Sequence, residues 1–270
     1  YIVPPNNNDA LSIHLARVLK WHQFGSYFPW ETPYFWQVTF PVNAQLTYYW
    51  TMLLTQGDHF IAYIPFLAGL ATALLVYLLT LELGFNRRLA VFSAAIWLSL
   101  PAVLLHLTSV RHDLINAWLF LSCLYFFIRW GKLNKAIYMV LSALSLALVI
   151  GANFSIAAYL PGLLIMLGIW FFSRRYSYKK ILIWSAAVLL AFMLFSSPIY
   201  ISNMIQFNSP MGPDVSEMTS TAITSEMSLG KYIAINITRW SYQFVDFSWL
   251  PPPVAEIGVR IKAWLAEQLS

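Results

Sequence analysis

Long apolar runs, most near twenty residues, fill residues 58–200 and alternate with short polar joints that carry much of the charge. Six runs read as membrane spans: 60–83, 88–108, 114–130, 135–152, 155–173 and 180–200. A hydrocarbon core of about 30 Å needs about 20 helical residues to cross it. Lipid offers the backbone no hydrogen-bonding partner, so a span is a helix or part of a closed barrel. Unbroken apolar stretches without strict alternation select helices. The expected fold is an all-α integral membrane protein with about six transmembrane helices and amphipathic helices beside the membrane.

Outside the spans the pattern changes. Residues 9–22 carry a helical period, with Leu11, Leu15, Val18 and His22 on one stripe and His14 and Arg17 on another face. The aromatic stretch 27–40 contains Pro29 and Pro33 and is expected to be irregular. Pro41 opens a second expected helix over 41–56. Residues 1–57 therefore form an external loop of two amphipathic helices around an aromatic segment, suited to a membrane surface. Residues 58–200 are the transmembrane domain. Residues 201–270 form a mixed external segment, with turn chemistry at Asn208–Pro213, a Ser/Thr-rich stretch over 214–228 and helices expected over 229–247 and 254–268.

Charge sets the orientation. Arg87 and Arg88, then Arg129, Lys132 and Lys135, then Arg174, Arg175, Lys179 and Lys180 follow the first, third and fifth runs, whereas only Arg111 lies in the intervening joints. The positive-inside rule makes the first set cytoplasmic and places 1–57, 109–113, 151–154 and the tail outside. A loop of that kind at the start implies an upstream helix that carried it across, and the tail implies further chain beyond residue 270. Composition agrees with this reading: 59% of residues are hydrophobic and only 10% charged, and the mean hydropathy is +0.63. The net charge of +5 sits in topology-setting clusters, which argues against nucleic acid as a partner. The single cysteine, Cys123, excludes an intrachain disulfide.

Few ionisable residues fall near the outer face. Asp9 opens the first amphipathic helix, and Asp113, preceded by Arg111 and His112, opens the third run. Each aspartate has a capping role open to it, because carboxylates favour helix N-termini. Two of them facing one compartment beside an aromatic loop can instead activate a hydroxyl or hold a divalent metal ion. Arg17 and Arg111 are the candidate phosphate-holding groups, and His14 and His112 are further candidate substrate-binding residues. Glu82 is expected to snorkel at the cytoplasmic side, and His106 to be a packing residue. No Gly-rich phosphate loop, His-Glu-x-x-His or Gly-x-Ser-x-Gly occurs. Asn153-Phe-Ser and Asn236-Ile-Thr match the glycosylation sequon.

The stretch Asn8-Asp-Ala-Leu-Ser-Ile-His-Leu-Ala-Arg-Val-Leu-Lys-Trp-His resembles the first external loop of bacterial GT-C membrane glycosyltransferases, a group related to protein mannosyltransferases and lipid A aminoarabinose transferases. Asp9, His14, Arg17 and Trp21 match that pattern, while Ile13 and Ala16 depart from it. Asp113 matches a second acidic position, and Tyr200, Asn203 and Ser209-Pro-Met-Gly-Pro213 resemble a later segment. Gly151-Ala-Asn-Phe lacks the lysine that relatives often carry there. The resemblance implies a GT-C-like fold in a bacterial cytoplasmic membrane. It implies an enzyme that moves a sugar from a polyprenyl-phosphate carrier to a lipid, glycan or protein acceptor at the outer face. Asp9 would be the catalytic base and Asp113 a second catalytic residue. His14, Arg17, Arg111 and His112 would meet substrate, with Mg or Mn at Asp9 and Asp113 in a metal-dependent variant. A transporter or flippase of lipid-linked sugars is the alternative reading.

Overall fold

A computed structural model describes residues 8–27, 29–173 and 177–213, together with positions 256, 257, 260 and 264. The described residues are helical, with no strand. Four helices are long and apolar enough to cross a membrane: α4 (Tyr63–Glu82), α7 (Asp113–Leu133), α9 (Ile156–Ser173) and α10 (Tyr178–Phe195). A bent pair, α5 (Arg87–Ser99) and α6 (Pro101–Leu107), makes a fifth if taken as one span. The chain is an all-helical, multi-pass membrane protein.

Two expected spans take a different form. The run 88–108 is broken into α5 and α6, which meet at 68°. Pro101 lacks an N–H and its ring clashes with the preceding turn, so the helix cannot run straight through it. The run 135–152 becomes α8 (Ala136–Ile150), an apolar helix of only 15 residues. The last run ends at Ser196, and α11 (Ser197–Phe207) restarts with Pro198 in its first turn.

Before α4, a widened turn over Ala10–His14, in which Leu15 N–H donates to Ala10 O, leads into α1 (Leu15–Phe24). Gly25, left-handed at φ 60°, ends α1. The aromatic segment is irregular as far as a single turn, α2 (Trp36–Thr39), and α3 (Asn43–Thr55) follows. The buried face of the first helix combines residues from the stripe and from the His14–Arg17 face. Ala10, His14, Arg17, Val18 and Trp21 are buried, whereas Leu11 is 53% exposed and Leu19 52%. In a protein bathed in lipid, the outward face is the apolar one and polar groups turn inward to find partners.

α7 is the centre of the bundle and packs on α4, α8 and α9, while α10 packs on α8. Small residues line the close approaches, among them Ala68, Gly69 and Ala73 on α4 and Ala143 and Ala147 on α8. A buried polar knot ties α7, α8 and α10: Trp184 Nε1 donates to Ser142 Oγ (3.1 Å), which donates to Cys123 O (2.9 Å). At the far end of α7, Glu82 accepts from Arg129 (2.8 Å) and Lys132 (2.6 Å), so it is paired rather than snorkelling alone. With 21 residues, α7 is about 31 Å long. It therefore holds this cluster and Asp113 a bilayer core apart.

Most of the tail, including the expected helix over 229–247 and the Asn236 sequon, lies outside the described residues, as do Arg174 and Arg175. Glu256, Ile257, Arg260 and Trp264 are helical and exposed, and the rest of the expected helix over 254–268 lies outside the described residues.

Candidate active site at the head of α7

Asp9 and Asp113, distant in sequence, meet through one arginine. Arg111 Nη2 lies 3.1 Å from Asp9 Oδ2, and Arg111 Nε lies 2.9 Å from Asp113 Oδ2. The second contact is an ion pair off the N–H axis, since neither Arg111 Nε nor Asp113 Oδ2 has a hydrogen-bonding partner among the described residues. His106, from α6, stands 3.8 Å from the same Asp113 oxygen. Tyr48 on α3 donates its hydroxyl to Arg111 O at 2.8 Å and so holds the arginine's backbone.

The widened turn in the first helix explains how Asp9 takes part. In a regular α-helix, residues five apart point to different sides. The i→i+5 turn narrows that angle, and Asp9 and His14 reach the neighbouring residues Arg111 and His112. Asp9 makes no side-chain capping bond to its own helix, so capping is not its role there. Asp113 sits in the first turn of α7, where the helix dipole favours a carboxylate.

Beneath the ion pairs runs a chain of four side chains. Asn153 is oriented by Ser155 N–H, which donates to its Oδ1 (2.9 Å), leaving Nδ2 to donate to His112 Nε2 (2.7 Å). His112 then carries its proton on Nδ1 and donates to His14 Nε2 (3.0 Å). His14 in turn donates from Nδ1 to Gln45 Oε1 (2.8 Å), while Gln45 Nε2 donates to Pro41 O (3.1 Å) and Val42 O (3.3 Å). The opposite amide orientation would aim Oε1 at two carbonyls, acceptor against acceptor. Both imidazoles are therefore neutral, each with one N–H and one lone pair in use. Burial, and after it the neighbouring His112, pulls His14 from 6.5 down to about 3, and burial likewise lowers His112.

Asn153 is positioned by the end of α8, whose last carbonyls are all claimed. Asn43 N–H donates to Gly151 O (2.9 Å), Asn43 Nδ2 to Leu148 O (3.1 Å), Ser196 Oγ to Ala147 O (2.7 Å) and Tyr200 OH to Ile150 O (2.6 Å). A Cβ on Gly151 would overlap Asn43 Nδ2 and Ser196 Oγ, so only glycine permits this approach. Asn203, buried, donates to Thr39 O (2.8 Å) and Pro210 O (3.1 Å), fastening the start of the tail segment.

Of the residues singled out from sequence, Asp9, His14, Arg111, His112 and Asp113 are brought together. Arg17 is not joined to them by any ion pair or hydrogen bond; it points into the first-loop fold and donates to Trp36 O (3.1 Å), Gln37 O (2.5 Å) and Pro41 O (3.3 Å). Gln45, Tyr48 and Asn153 belong to the site and were not anticipated. A divalent ion does not fit here. Arg111 stands between the two carboxylates, and no group of three His, Cys, Asp or Glu is gathered among the described residues. Comparison with protein families, curated proteins and solved structures finds no match to this chain.

Chemically, the cluster carries two carboxylates against one guanidinium, with neutral imidazoles below. Asp9 is its most open member, its side chain 42% exposed against 27% for Arg111. That arrangement can present an anionic oxygen to a hydroxyl while keeping a fixed cation beside it.

Proposed function

We propose that the chain is the membrane part of a glycosyltransferase that moves a sugar from a polyprenyl-phosphate carrier to a hydroxyl-bearing acceptor. In this reading, α8 and the α5–α6 pair also cross, giving six spans. The head of α7 faces the outer side of a bacterial cytoplasmic membrane, and the Glu82–Arg129–Lys132 end faces inward. The observation that carries the reading is the sharing of Arg111 by Asp9 and Asp113.

Asp9 takes the proton of the acceptor hydroxyl as that oxygen attacks the anomeric carbon. The bond from this carbon to the carrier phosphate breaks, the phosphate leaves with the electron pair, and configuration at the carbon inverts. Arg111 orients Asp9 and supplies positive charge near the departing phosphate. Asp113 is a positioning residue that holds Arg111. No metal ion takes part in these steps.

The test is sugar transfer in membranes containing the full-length protein and polyprenyl-phosphate sugars. Asp9→Asn should lower transfer by about 100-fold or more at unchanged protein abundance. Transfer at the wild-type rate by that variant removes Asp9 from the chemistry and the proposal with it.

A further inference from the structure

Arg17 is a buried cation with no counter-ion among the described residues. Only 1% of it is exposed, and none of the ion pairs among the described residues includes it. Its company is three carbonyl oxygens and the face of Trp21, 5.7 Å from the guanidinium carbon. These carry partial charges only, whereas a buried full charge is costly unless an opposite charge meets it. Burial pushes the guanidinium down to about 9, which still leaves it charged at neutral pH.

The three carbonyls use one N–H on each guanidinium nitrogen. Five N–H groups are available, so one on each Nη is left over. Two such hydrogens on neighbouring nitrogens form the fork that grips two oxygens of a phosphate or carboxylate.

There is space beside Arg17. Arg17 lines a cavity of about 150 Å³ whose wall also includes Trp21, Tyr27, Trp30, Gln37 and Ser202. None of Asp9, Arg111, His112 and Asp113 lines it. Pro198 and Ser202 belong as well to an open groove along α11, where Ile201 and Ile205 are 51% and 79% exposed. A cavity bearing a buried cation therefore adjoins, through Pro198 and Ser202, a mostly apolar groove on the outside of a membrane protein. A cavity of this volume takes something about the size of benzene. A phosphate and a few carbons fit, but not a sugar ring as well, so the cavity does not suit a sugar-loaded carrier.

We propose that this cavity binds the phosphate of an anionic phospholipid with a small headgroup, its acyl chain following the α11 groove, as a site separate from the Asp9–Arg111–Asp113 centre.

The full chain, purified in detergent, is titrated with phosphatidylglycerol or with phosphatidylcholine of the same acyl chains, and retained lipid is counted by native mass spectrometry. Phosphatidylglycerol should bind about tenfold or more tightly, because phosphatidylcholine offers the same phosphate but brings a bulky trimethylammonium cation toward Arg17. Arg17→Gln would strand three carbonyls and risk misfolding, so the deciding variants are Ser202→Phe, which fills the cavity, and Ile205→Asp, which spoils the groove. Both should lose the preference while keeping helical content and monodispersity. Equal binding of the two lipids by the wild type overturns the proposal, and so does a preference unchanged in both variants. Inorganic phosphate should compete only at far higher concentration; competition equal to that of the lipid overturns the phospholipid as occupant.

Discussion

His112 donates its Nδ1 proton to His14 Nε2 across 3.0 Å, joining positions 98 residues apart in sequence. The bond needs both rings neutral, because a proton added to His14 Nε2 would face the N–H of His112. This contact locks the first helix to the head of α7.

Acid should loosen that lock. His14 is held at about 3 in the folded protein by burial and by His112, against about 6.5 in an unfolded chain. Between these values the unfolded chain binds the proton and the folded chain does not. His14 therefore contributes stability that is whole above about pH 6.5 and drains away as pH falls toward 3. From pH 7 to pH 5 the loss should be about 2 kcal/mol for this group alone. Unfolding in mixed micelles at the two pH values measures it, and His14→Gln should flatten the dependence. An equal slope in that variant would count against the histidine pair as the source.

Arg111 couples the two aspartates, and the coupling is measurable. Asp9→Asn, Arg111→Met and the double variant make a cycle whose interaction energy should be about 1 kcal/mol. It is kept small because both side chains are partly in solvent. Strictly additive effects would mean that the 3.1 Å contact contributes nothing in solution.

Gly151 and Gly162 should respond oppositely to alanine. Gly151→Ala forces a methyl group onto Asn43 and Ser196 and should destabilise by about 1–3 kcal/mol. Gly162 lies in α9 with nothing within 4 Å of the added atom, and Gly162→Ala should stabilise by up to about 1 kcal/mol through helix propensity. Melting temperatures of the two variants decide it; a matching pair of shifts would refute the packing argument at Gly151.

Topology can be read with cysteines. Cys123 is fully buried between α7 and α8, so the wild-type background should be silent to a membrane-impermeant maleimide. Gln23→Cys, on an exposed position of α1, should label in intact cells, and Lys135→Cys only after the membrane is opened. The reverse pattern would invert the orientation proposed above.

The helices were largely legible in the sequence because apolar length decides them, and Asp9, Arg111 and Asp113 stood out as rare charges near one face. That they share contacts was not legible, since spacing along a chain says nothing about which helix ends meet. Which face of the first helix is buried was not legible either. An apolar stripe marks a core in water, but in lipid it marks the outside, and His14 and Arg17 rather than Leu11 and Leu19 turned inward. The bend at Pro101 carried its signal in plain view, masked by the hydrophobicity on either side. Gln45, Tyr48 and Asn153 were missed because a single polar residue among apolar ones looks incidental until its partner is known. Asn153 was noticed as a sequon and within Gly151-Ala-Asn-Phe, not as a hydrogen-bonding partner.

The length of α8 has a consequence for the bilayer itself. Its 15 residues reach about 22 Å, about 8 Å less than an average hydrocarbon core. In the six-span topology proposed above, with the end nearest Lys132 and Lys135 at one interface, its other end would stop below the level of the opposite lipid headgroups. The carbonyls left there are met by Asn43, Ser196 and Tyr200 instead of water. Hydrophobic mismatch of this kind thins or dimples the surrounding membrane. In that topology the head of α7 would stand in such a depression, where a lipid-borne phosphate could sink to meet side chains without leaving its own leaflet.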